Sequence, residues 1–74
     1  MDEREELKWE LEQELHWIQY RQKILEIIDE KLLQMKKIAE KVKQGNVTKE
    51  ELGWLNIKIN DLAIQIKALD EESR

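Results

Sequence analysis

Apolar residues recur at alternating three- and four-residue intervals over two stretches of this chain, the spacing that lines one face of an α-helix. In the first stretch the seam is Leu25, Ile28, Leu32, Met35, Ala39 and Val42; in the second it is Leu52, Leu55, Ile59, Leu62, Ile66 and Leu69. Carried back toward the N-terminus, the first frame meets Arg21, Ile18, Glu14 and Leu11 and turns partly polar. Leu7, Leu11, Leu15 and Ile18 instead follow a four-four-three spacing, a stutter in the heptad register. Trp17, Tyr20, Ile24 and Ile27 run beside the seam and widen the stripe beyond the reach of one coiled-coil neighbour. The pattern predicts an all-α fold: an antiparallel helical hairpin whose first arm touches more than one neighbour.

Punctuation falls at one place, Gln44-Gly45-Asn46-Val47-Thr48. Gly45 suits the left-handed residue that ends a helix, and Asn46 tolerates the same conformation. Thr48 with Glu51 three residues on reads as a capping box, and Val47 with Leu52 as the accompanying hydrophobic staple. Asp2 with Glu5 suggests a further N-cap. The expected organisation is one helical-hairpin domain over residues 1–74, with helix 1 over 3–44, a turn over 45–48 and helix 2 over 49–71. At 1.5 Å per residue the arms are about 60 and 35 Å long. Ile57 to Ile66 contains an apolar alternation that would suit a strand, but the cap and the sustained heptad favour helix.

Arms of unequal length leave residues 1 to about 20 projecting with nothing from their own chain to cover Leu7, Trp9, Leu11, Leu15, Trp17, Ile18 and Tyr20. Burying seven such side chains is worth on the order of 10–20 kcal/mol before the costs of association. Helix 2 carries a second apolar line, Trp54, Ile57, Ile64 and Ala68, broken only by Asp61, where a solvated helix would place Lys, Glu or Gln. The expected interface residues are therefore Leu7, Leu11, Leu15, Trp17, Ile18, Tyr20, Leu25, Trp54, Ile57, Ile64 and Ala68. The predicted assembly is a homo-oligomeric helical bundle or coiled coil. Its base state is an antiparallel homodimer three or four helices thick, with Glu14 and Arg21 able to pair across a two-fold axis near Ile18 to Leu25. The outer face of helix 2 is left either to pair dimers into a tetramer or to hold another protein.

Charge sharpens this picture. The net formal charge of −4 divides unevenly: ten acids and four bases in residues 1–30 (−6), six Lys and one Glu in 31–49 (+5), six acids and three bases in 50–74 (−3). An antiparallel pairing brings each acidic arm to the partner's Lys-rich hairpin tip. Acid at the start and base at the end of helix 1 complement its macrodipole, whereas Asp70-Glu71-Glu72 opposes that of helix 2 and predicts a frayed end. Charged and apolar residues each make up 41% of the chain, with no Pro and no Cys. That balance suits long helices with polar outer faces and excludes a disulfide framework or thiolate zinc site. No apolar run reaches the ~18 residues of a membrane span, and the acidic start does not suit a signal peptide, so the expected location is cytoplasmic.

Few residues suggest chemistry. His16 lies four residues from both Glu12 and Tyr20, but with no second His or Cys the set is too small for zinc, and no metal or cofactor is expected. Lys31, Lys36, Lys37, Lys41, Lys43 and Lys49 fan around their helices without interleaved aromatics, which argues against nucleic acid. The sole Ser, Ser73, lies far from His16 in sequence, and no Gly-rich phosphate loop exists. The stretch Arg21-Gln22-Lys23-Ile24 through Asp29-Glu30-Lys31-Leu32-Leu33 resembles the first helix of the all-helical chorismate mutases. Those enzymes need several converging Arg and Lys side chains from three helices. This chain offers Arg4, Arg21 and Arg74 and two helices, so no catalytic residue is assigned and no enzyme is expected. Gly53 beside Trp54 reads as either a tolerated helical glycine or room for a neighbour's close approach.

The leading functional expectation is a structural, self-assembling interaction protein. An apolar outer helix face is also what an interface engineered onto a natural hairpin scaffold would leave, and the Gln, His and Trp content favours redesign over wholesale invention. The alternatives are a natural bacterial helical adaptor, binding another protein through helix 2, and, more remotely, a nucleic-acid-binding hairpin dimer.

Overall fold

The computed structural model describes residues 2–74, and among them the only regular structure is two helices, α1 over Glu3–Lys43 and α2 over Lys49–Glu72. Asp2 caps α1, its Oδ1 accepting the Glu5 N–H at 2.8 Å, and Thr48 caps α2, its Oγ1 accepting the Glu51 N–H at 3.1 Å. Only this half of the expected capping box forms, because the Glu51 carboxylate turns toward Lys41, 3.9 Å away across the hairpin. At the end of α1 the Gln44 and Gly45 N–H groups donate back to the Glu40 and Val42 carbonyls, both at 3.0 Å. Gly45 takes φ +76°, a conformation a side chain would strain, and the chain reverses there.

α2 folds back along α1 and reaches as far as Tyr20, whose hydroxyl donates to the Glu72 carboxylate. The envelope of 67 × 17 × 11 Å is that of a rod, so the stretch of α1 before Tyr20 projects alone, as the unequal arms predict. Leu62, 1% exposed, Ile24 and Ile28 are the buried apolar residues among those described. Around them Ile27, Met35, Ile38 and Val42 of α1 and Leu55, Ile59, Ile66 and Leu69 of α2 are half-buried.

Two details depart from expectation. α1 meets α2 through Ile24, Ile28, Lys31, Met35, Ile38 and Val42, while Leu25, Leu32 and Ala39 stay exposed. The packing face is thus turned about 50° from the predicted seam, the column Ile28, Met35 and Val42 being common to both. Lys31 fits the seam because its aliphatic stem covers apolar surface while its ammonium reaches the edge and donates to Gln65 Oε1 at 2.5 Å. The last turn of α2, for which the acidic run predicts fraying, is helical to Glu72 and fastened by contacts. Ser73 extends the α2 seam and is buried, its N–H donating to the Leu69 carbonyl at 3.0 Å and its Oγ to the Asp70 carbonyl at 2.9 Å. Arg74 bonds Asp70 at 2.9 Å, supplying the positive charge that the last turn lacks.

Candidate interaction surfaces

The two flanks of the interhelical seam differ in chemistry. Stepping 100° per residue places Tyr20, Lys31 and Lys41 on one flank of α1, with Glu72, Gln65 and Asp61 on the same flank of α2. All the polar side-chain contacts between the helices among the described residues lie there: Tyr20 to Glu72, Lys31 to Gln65, and Lys41 near Glu51. Gln65 in turn donates to Asp61 at 2.7 Å, so the central contact is a three-residue chain. The Glu72 contact raises the pKa of the Tyr20 phenol above its ordinary value, first through the hydrogen bond and then through desolvation and the carboxylate's charge. Trp17 leans on Tyr20 with ring centroids 6.0 Å apart, closing the open end of the hairpin.

The other flank is apolar. Leu11, Ile18, Leu25, Leu32 and Ala39 repeat every seven residues in one column along α1, and all five are exposed. From Leu11 to Ala39 that column is about 42 Å long. Near the hairpin tip it opens into a groove of about 690 Å³ whose lining includes Ala39, Val42, Leu52, Gly53, Leu55, Asn56 and Ile59. At Gly53 a Cβ would meet nothing within 4 Å, so the groove has free space on the α2 wall. At the far end of the column Leu7, Leu11 and Leu15 form a shallow apolar depression edged by Arg4, Glu5, Lys8 and Glu12.

The predicted interface residues fall into two groups. Leu7, Leu11, Leu15, Trp17, Ile18, Tyr20 and Leu25 are all between 42 and 60% exposed on α1. Ile57 and Ile64, at 63 and 68%, stand on the outer side of α2, and Trp54, at 72%, and exposed Ala68 lie in the column of Asp61, between that side and the polar flank. Leu32, Ala39 and Leu52 belong with the first group, although the sequence pattern assigns them to the intramolecular seam. The strict seven-residue recurrence through Leu32 and Ala39 is the signal that marks them.

Elsewhere the surface offers little chemistry. His16 is exposed, and among the described residues no three His, Cys, Asp or Glu side chains gather as metal ligands. Lys31 and Lys41 are engaged within the hairpin, which splits the basic cluster. No helix among the described residues is long and apolar enough to cross a membrane. No family model matches the chain, and neither a curated protein nor a solved structure is significantly similar to it.

Proposed function

We propose that this protein is a self-assembling structural or interaction module, a helical hairpin that associates with further copies of itself into a coiled-coil bundle, with a homodimer as the base state. The observation that supports this most is the arm before Tyr20, where Leu7, Leu11, Leu15, Trp17 and Ile18 are about half exposed beyond the reach of α2. Contiguous apolar surface of this extent normally marks an interaction site. The same apolar surface is compatible with an interface engineered onto a hairpin scaffold and with a natural cytoplasmic protein of the same build.

A second reading, capture of a different protein, is favoured by the outer face of α2, where Trp54 is 72% exposed beside Ile57 and Ile64. Sedimentation equilibrium on wild type, Leu11→Glu and Ile57→Glu separates the two. We expect a dimer or larger for wild type, and a monomer for Leu11→Glu because a carboxylate cannot be buried unpaired in an apolar seam. If Ile57→Glu leaves the mass unchanged, the α2 face is free for another partner; if it lowers a tetramer to a dimer, that face joins dimers. A monomeric wild type rules out the self-assembly reading.

A further inference from the structure

We propose that the groove at the hairpin tip is the seat of the N-terminal arm of a second copy, the two α1 helices running antiparallel about a two-fold axis at Leu25. This depends on the self-association proposed above and adds its partner surface, direction and register.

The column Leu11, Ile18, Leu25, Leu32 and Ala39 is symmetric about its middle member. An antiparallel copy placed there brings Leu11 opposite Ala39, Ile18 opposite Leu32, and Leu25 opposite itself. In the same register Leu7, Leu11 and Leu15 of one copy reach the levels of Lys43, Ala39 and Met35 of the other. The groove between Ala39, Val42, Leu52, Leu55 and Ile59 opens at these levels. A leucine-lined arm thus meets a largely apolar slot, whose lining also takes in Lys49 and Asn56, and small Ala39 and Gly53 leave it space. Each half of the dimer becomes a three-helix bundle of α1, α2 and the partner's arm. Around α1, the directions to α2 and to this partner differ by about 60–100°, as neighbours in such a bundle require.

Charge favours the same direction. Each arm belongs to the −6 block and each tip to the +5 block of the chain, so the antiparallel arrangement joins unlike charge. A parallel one stacks arm on arm and leaves both grooves empty. The area suffices as well. The broad side of the envelope, 67 by 17 Å, is about 1,100 Å² in outline. Covering three-quarters of it reaches the roughly 800 Å² per partner of a standard stable interface. The flank with the Tyr20, Lys31 and Lys41 contacts is already committed within the hairpin, which leaves the apolar flank for the second molecule.

The chain contains no cysteine, so introduced thiols report on proximity without background. Leu25→Cys should form a disulfide-linked dimer under mild oxidation at least about tenfold faster than Ile64→Cys, because the bond needs Cα atoms within about 7 Å. An equimolar mixture of Leu11→Cys and Ala39→Cys should give the mixed dimer in preference to either homodimer. Should circular dichroism show that Leu25→Cys has lost helix, the mixture decides. Efficient linking of Leu11→Cys to itself means a parallel dimer and overturns the inference. So does the failure of both Leu25→Cys and the mixture to link while sedimentation still finds a dimer, although self-assembly then survives. A monomer in sedimentation removes both.

Discussion

Tyr20 is where α2 runs out, and its phenol marks that boundary chemically. The hydroxyl donates to Glu72, and losing its proton would set a phenolate beside a carboxylate, so the pKa is raised. A group whose pKa is higher folded than unfolded adds stability in full below the unfolded value. For Tyr20 that contribution is present below the ordinary pKa of 10.0 and disappears as pH climbs through the higher folded value. Alkaline absorbance titration should therefore place tyrosine ionisation above 10 in wild type and nearer 10 in Glu72→Gln; equal midpoints would mean that the contact does not form in solution. At this scale the sequence was most legible where the cause is local. Asp2, Gly45 and Thr48 do what their side chains dictate within three or four residues. Ser73 was not legible, because its burial depends on where α1 lies, and the acidic run before it suggested fraying.

Each helix has a start that its sequence announces, and the start of α2 offers a clean measurement. Among the described residues Thr48 is the one whose side chain accepts from the first turn of α2, and Glu51 does not return a bond to the Thr48 N–H. Thr48→Ala should lower stability in urea by about 1 kcal/mol without altering the helical signal at low denaturant. No change in the unfolding midpoint would show that the turn alone holds α2. The heptad rhythm named both helices and the α2 seam from Leu55 to Leu69. It did not fix which side of α1 receives α2. The column Ile28, Met35 and Val42 borders two others, Leu25, Leu32 and Ala39 on one side and Ile24, Lys31 and Ile38 on the other. The first is wholly apolar and looks like the better core. The hairpin uses the second, with a lysine stem in the middle, and leaves the first outside. One helix thus carries two adjoining seams, and its own chain covers one of them.

On the scale of the whole molecule, the three buried apolar side chains among the described residues, Ile24, Ile28 and Leu62, are a small core for helices of 41 and 24 residues. Chains of this length bury a modest share of their surface and commonly draw on disulfides, metals or oligomerisation for the rest. This chain has no cysteine, and its longest apolar column points to solvent. If association covers that column, folding and assembly are linked, and stability depends on protein concentration. For a folded dimer in equilibrium with unfolded monomer, each tenfold rise in concentration adds about 1.4 kcal/mol per dimer at room temperature, the free-energy equivalent of a factor of ten. The urea midpoint should therefore rise between micromolar and hundred-micromolar samples. In Leu11→Glu it should fall and lose its concentration dependence, since the hairpin then folds alone on its small core. A wild-type midpoint that ignores concentration would mean that α1 and α2 suffice for each other, and the exposed column would need a different occupant.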